Sequence, residues 1–365
     1  MRVSLAERSL ELISHPLDLL RRRLLSILGP IAHPFIRSRA LRVTTAAVIG
    51  FGFAAMLSIW IPLWQLALGP VIWGIPHILG DLRYLVIKQK LAHKISFWLL
   101  IVLPLAHFTY RPRVTTTMIA LGGAALLGLI HHRRAVTQRN SSRSAFSRFI
   151  LVTIFAVIGY ITSRAWPYHA HFILLHAHNL ITLGMWWFWR PRKSLWELAP
   201  IVVLLGCSAL ILCAWDAQAW RIAHASTDWA PAQLTLSYFE RTLAWILPEH
   251  WRPQWVVLYG FLQSAHYLVW IRLIPEDDRV AETPITFRRS ALKLGDDFGS
   301  WVMLTVFMGM VGLAAWAIID ISSARLTYLR WISAHASLEV AVIGYLIVSK
   351  QTHSHQGVQR DQRVR

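Results

Sequence analysis

Residues 70–85 read PVIWGIPHILGDLRYL, and the fold turns on how this stretch is understood. It is apolar enough for the interior of a membrane, yet His77 stands in its middle and Asp81 follows one helical turn later. An imidazole and a carboxylate are costly in hydrocarbon unless they face a bundle interior and find partners there. Reading the stretch as a membrane helix therefore carries a second claim: the helix is one of several that enclose a polar site.

The rest of the chain agrees with the first claim. Of 365 residues, 55% are hydrophobic and only 15% charged, with 19 Trp and a mean hydropathy of +0.45. A soluble protein of this length needs more polar surface. Apolar runs of roughly 15 to 22 residues recur from Val43 to Val348, long enough to cross about 30 Å of hydrocarbon as helix. Ten spans are expected, near 43–63, 66–87, 96–110, 114–130, 149–163, 169–189, 198–214, 254–273, 301–320 and 329–348. The fold class is thus all-α, a polytopic transmembrane helix bundle. Residues 1–42 form a cytoplasmic amphipathic segment, 43–348 the bundle and 349–365 a basic cytoplasmic tail.

A net charge of +19 raises the question of nucleic acid. Its placement answers otherwise. With the N-terminus inside, 29 of the 37 Lys and Arg fall on the cytoplasmic side, and only 3 lie in the long outer loop from Asp216 to Arg252. The positive-inside rule then orients both termini to the cytoplasm, and the basic charge is a topology signal. The expected partners are membrane lipids and a lipid-soluble small molecule, with no nucleic acid. The expected location is integral to a membrane, the bacterial inner membrane.

Cys207 and Cys213 share one span and imply no disulfide framework. No secretory signal is expected, because no short apolar run with an A-x-A site precedes the first span. Residues 5–29 alternate apolar and charged positions with helical period, which fits an amphipathic helix on the inner leaflet, interrupted at Pro16 and with Arg21–Arg23 near headgroups. A solvated helix fits as well. The Ser-rich stretch 131–148 reads as a mobile cytoplasmic loop, and Pro275–Lys293 as a cytoplasmic loop ordered in part. Residues 214–254, with five Trp, read as interfacial helices on the outer side.

The histidines concentrate the functional question. The second, sixth, eighth and tenth spans all run from outside to inside. At about 1.5 Å per residue, His77 lies roughly 17 Å below the outer end of its span, His178 roughly 14 Å and His266 roughly 18 Å. On the last span His335 lies roughly 9 Å down and Glu339 roughly 15 Å. Within the error of the boundaries these are one plane. His77 and Asp81 are spaced i,i+4, as are His335 and Glu339, so each pair shares a helix face. Gln263 stands one turn before His266, with Tyr259 a turn above. His176 points elsewhere and reads as an interhelical hydrogen-bonding group, while His107, His169 and His171 read as interfacial.

Imidazole suits Fe, Cu, Zn and Ni. A ligating His usually gives its second N–H to a carboxylate or carbonyl, and Asp81 and Glu339 are placed to receive it. The candidate metal ligands are therefore His77, His178, His266 and His335, supported by Asp81, Glu339, Gln263 and Tyr259. Compact signatures such as HExxH and CxxC are absent. A metal or other catalytic site, a proton or ion pathway, and structural hydrogen bonding all fit this set.

The segment GIPHILGD (Gly74–Asp81) resembles the G-x-P-H-x-x-x-D signature of the Brp/Blh family of bacterial and archaeal membrane proteins. That family cleaves β-carotene at its central double bond to retinal, using O₂ and a non-haem iron held by histidines on transmembrane helices. The family has Gly after that His, where this chain has Ile78. It also has a His pair spaced i,i+4 on a later helix, where this chain has HFILLHAHN. The resemblance implies that His77 is a ligand to Fe(2+), with Asp81 behind it. It also implies that the protein is a non-haem iron dioxygenase acting on a carotenoid-like substrate. GMWWFW (184–189) and WIPLW (60–64) could line an access route for such a molecule, or form ordinary aromatic belts. The rival expectation is a transporter or channel using the same His, Asp and Glu set as a proton or ion pathway, with Gly74 and Pro76 as helix breakers beside it. A b-type cytochrome and a non-enzymatic scaffold are further alternatives.

Overall fold

A computed structural model describes residues 5–110, 113–135, 139–213 and 233–349. Residues 214–232 of the Trp-rich stretch 214–254, and all of the basic tail 349–365 except Ser349, lie outside the described residues. The elements are α1 (Leu5–Leu28), α2 (Arg39–Trp60), α3 (Pro62–Asp81) and a broken helix α4 (Ile95–His107). Then come α5 (Val114–Ala135), α6 (Arg139–Ala165), α7 (Pro167–Trp187), α8 (Ala199–Cys213) and α9 (Leu236–Leu243). The chain continues through α10 (Arg252–Leu268), α11 (Phe287–Phe298), α12 (Ser300–Ile319), α13 (Ile321–Trp331) and α14 (His335–Ser349). No strand occurs among the described residues.

Seven helices are long and apolar enough to cross a membrane: Arg39–Trp60, Pro62–Ile87, Val114–Arg133, Arg143–Ala165, Leu195–Cys213, Ser300–Ile319 and Ile321–Ser349. The three other stretches expected to span are helical too. The one at 96–110 is short and broken by a π turn at Trp98–Val102. The other two, α7 and α10, carry the intramembrane polar groups, among them His176, His178, Asn179, Gln263 and His266. Those groups lower their apolarity, and for the same reason these helices lie inside the bundle.

Local chemistry sets the ends. Pro62, Pro167 and Pro253 sit in the first turns of α3, α7 and α10, where a missing N–H costs nothing. Side-chain oxygens of Ser38, Thr235, Thr286 and Asp320 cap α2, α9, α11 and α13. Gly299, at φ +91°, makes the turn from α11 into α12 in the left-handed region that disfavours a Cβ.

Burial sorts the helices by position. Val114–Arg133 is 61% buried and Ser300–Ile319 only 6%, so α12 lies at the periphery, where apolar side chains meet lipid. Most of α10 is buried all round, as in a core helix, and it packs on α2, α3, α7 and α8. Gly80 lets α3 approach this helix: a Cβ there would lie 2.7 Å from the Trp270 carbonyl oxygen.

At the opposite end from the starts of α3, α7 and α10, buried ion pairs tie the bundle. Glu276 accepts from Arg42 (2.8 Å), Arg272 (3.1 Å) and Arg279 (2.9 Å). Asp277 accepts from Arg190, Arg192 and the Trp186 indole N–H (2.9 Å). The stretch Pro275–Lys293 is described throughout and pinned, with Arg39 donating to the Ala281 carbonyl at 2.8 Å. Two sequence expectations change here. The stretch 131–148 is not a long loop, because α5 runs to Ala135 and α6 resumes at Arg139. Nor does Pro16 interrupt α1, which loses one i→i−4 bond and continues. Asp18 on α1 receives the Phe287 and Arg288 N–H groups (2.7 and 3.0 Å), so α1 caps α11 from outside.

Candidate metal centre

Four helices deliver four imidazoles to one place. The His77 ring centroid is 5.3 Å from those of His266 and His335. That of His178 is 5.3 Å from His266 and 5.6 Å from His335. His266 and His335 face each other across the group at 6.2 Å. One ring nitrogen each from His77, His266 and His335 lies within 4.8 Å of the others. Two nitrogens about 2.1 Å from one ion are at most ~4.2 Å apart, so a small side-chain adjustment closes the group on a metal. His77 and His266 are fully buried, His178 is buried and His335 half-buried.

The ring nitrogens are prepared for ligation. Nδ1 of His77 is 3.2 Å from the Trp73 carbonyl, that of His178 3.3 Å from Leu174, and that of His335 2.8 Å from Ile332. A carbonyl only accepts, so Nδ1 carries the proton in all three and Nε2 keeps its lone pair. Nε2 of His77 has no hydrogen-bond partner, and neither ring nitrogen of His266 has one. Buried polar atoms left bare at the convergence of four rings fit a divalent transition metal. Neutral imidazoles, three of the four held by backbone carbonyls, are a donor set that Fe, Cu, Zn and Ni all accept.

One turn further along, each helix supplies a second residue: Asp81 after His77, Thr182 after His178, Trp270 after His266 and Glu339 after His335. Glu339 organises this lower layer. Its Oε2 accepts from the Thr182 hydroxyl (2.7 Å) and its Oε1 from the Trp270 indole (2.9 Å), and Oε1 lies 3.6 Å from His266 Nε2. Asp81 is fully buried with both carboxylate oxygens unpartnered. It does not receive the His77 N–H, which goes to Trp73. Beneath them Leu85, Trp186 and Ile274 are buried and apolar. Both helices that carry fully buried histidines pass into π turns just past them, at Leu82–Ile87 and Val269–Leu273, a distortion common at functional sites.

Gln263 is buried on α10 but makes no hydrogen bond to the four rings. Tyr259 packs instead on His176, ring to ring at 5.2 Å, away from the cluster. His176 bonds the Leu243 carbonyl at 2.8 Å, the interhelical role expected of it, and His107 and His169 are exposed. The tyrosines at the site are others. Tyr267 lies 4.4 Å from His77, ring to ring, and Tyr328 packs so closely on Gly74 that a Cβ there would overlap its ring. The i+4 spacing from each histidine would have revealed Thr182 and Trp270; no comparable signal marks Tyr328. His335 also sits deeper than the span boundaries implied. A helical segment begins at Ile321, breaks at Ile332–Ala334 and restarts at His335, about 21 Å along at 1.5 Å per residue.

No protein-family model matches the chain, and no curated protein or solved structure matches it. Function is therefore argued from the site.

Proposed function

We propose that the protein is a membrane-embedded non-haem iron oxygenase acting on a lipid-soluble, carotenoid-like substrate. The observation that supports it most is the convergence of His77, His178, His266 and His335, with nitrogens of three within 4.8 Å. The resemblance at Gly74–Asp81 points the same way. Fe(2+), when bound, supplies dioxygen-dependent redox chemistry. The chain's residues hold and orient: backbone carbonyls fix the rings of His77, His178 and His335, and Glu339 braces the layer below with Leu85, Trp186 and Ile274 buried one turn further along their helices. Ten spans and two cytoplasmic termini belong to this reading through the distribution of Lys and Arg, and a bacterial inner membrane through the resemblance at Gly74–Asp81.

A transporter or channel is the second reading. The break at Ile332–Ala334 beside His335 favours it, since broken helices line many transport sites.

Metal analysis and an absorption spectrum of the detergent-purified protein test the proposal. Near-stoichiometric iron without a Soret band is expected, lost in His77→Ala and His266→Ala while both still insert in the membrane. Iron content unchanged in both variants overturns the shared site, and a Soret band replaces the oxygenase with a cytochrome. With iron confirmed, oxygen-dependent bleaching of β-carotene is expected; proton flux without bleaching favours the transporter.

A further inference from the structure

We infer that the end of the bundle where α7 and α10 begin holds a binding site for a phosphate-bearing anion, best filled by the headgroup of an anionic phospholipid. An open, shallow cavity of about 650 Å³ lies at this surface, lined by Tyr168, Arg241, Thr242, Trp245 and Arg252, of which Tyr168, Arg241 and Thr242 are exposed. It is separate from the histidine cluster: His178 lies about 15 Å further along α7 from Tyr168 at 1.5 Å per residue.

Charge decides the ligand's sign. The two guanidinium groups form no ion pair among the described residues, and the cavity lining holds no carboxylate to neutralise them. Arg252 is held by its Nε, which donates to the Leu247 carbonyl at 3.0 Å. The nearest acids in sequence, Glu240 and Glu249, do not line the cavity. The first turns of α7 and α10 contain no acidic residue and no side-chain cap, so both add positive dipole ends to the same region. Guanidinium pairs match phosphate oxygens in geometry as well as charge.

Shape favours a lipid over a free ion. Tyr168 is 74% exposed and stands with Trp245 at the rim, the usual setting for interfacial aromatics. Trp245 also packs on the Phe172 ring at 5.7 Å, so the aromatic rim continues along α7.

The test uses full-length protein in detergent, with phosphatidylglycerol retention read by native mass spectrometry and by titration into equimolar phosphatidylglycerol/phosphatidylcholine nanodiscs. Arg241→Gln and Arg252→Gln should each weaken phosphatidylglycerol binding about 10-fold. The double variant should lose one retained lipid while metal content stays at wild type. Saturation by inorganic phosphate without competition from lipid assigns the same chemistry to a free ion. Equal retention and equal phosphate affinity in wild type and double variant overturn the proposal. Should the double variant unfold, the two single variants carry the same comparison.

Discussion

Glu339 Oε1 stands 3.6 Å from His266 Nε2 and 2.9 Å from the Trp270 indole nitrogen, one helical turn beyond His335. It brings the imidazole layer into contact with the layer beneath. With Thr182 on its other oxygen, the carboxylate ties α7, α10 and α14 together at the depth of the site. Glu339→Gln replaces an acceptor on both sides with a group that must present an amide N–H to one of two donors. Glu339 makes no hydrogen bond to an imidazole but lies against His266 at 3.6 Å, so the lost bond below should shift that ring and lower metal affinity about 10-fold. Stability should fall by about 1–3 kcal/mol for the donor left unpaired. Competition with a chelator of known affinity measures the first and a thermal melt the second; wild-type values in both would remove Glu339 from the site.

Asp81 provides the contrast. Sequence placed it behind His77, but no hydrogen bond reaches either of its oxygens. Asp81→Asn keeps the shape and breaks no bond, so the same chelator competition should show a far smaller loss than Glu339→Gln. A loss as large would mean that Asp81 contacts the ion or a ligand once metal is bound.

Much of this was legible because membrane depth is a strong constraint. An imidazole in hydrocarbon must face inward, so four helices of like direction with histidines at similar depth converge. Glu339 was visible by its spacing from His335. The break before His335 was not: Trp331–Ala334 contains neither Gly nor Pro, and its apolar residues continue the hydropathy of a single span. The break is held by local bonds that no residue type announces: Ile332 and Ser333 donate back to Tyr328 and Arg330 (3.1 and 3.4 Å), and the Ile332 carbonyl takes both the backbone and the ring N–H of His335. Tyr328 was equally hidden, since its place depends on α13 lying against Gly74.

That contact is itself testable. Gly74 stands three residues before His77, and a methyl group there would overlap the Tyr328 phenol ring. Gly74→Ala should destabilise the protein by about 1–3 kcal/mol, the usual cost of overpacking, and lower iron occupancy by shifting α3. Removing the obstacle should relieve it: Gly74→Ala with Tyr328→Ala should be less harmful than the sum of the two single changes. Additive losses in melting temperature would show that the two residues do not press on each other.

Pro70 and Arg325 form a second coupled pair. Pro70 has no N–H for the carbonyl four residues earlier, that of Leu66, which is left bare inside α3. Arg325 Nε on α13 donates to it at 2.9 Å, with its guanidinium 5.0 Å from the centre of the Phe239 ring. The proline thus creates an acceptor that fastens α13 to α3 beside the site. Arg325→Met should cost about 1–3 kcal/mol, because a buried carbonyl loses its donor. Pro70→Ala restores an N–H to that carbonyl from within the helix, so the double variant should recover part of the loss, though not the contact with Phe239. Thermal melts of the four proteins in one detergent form the cycle. A double variant no more stable than Arg325→Met would show that the Leu66 carbonyl is not what Arg325 serves.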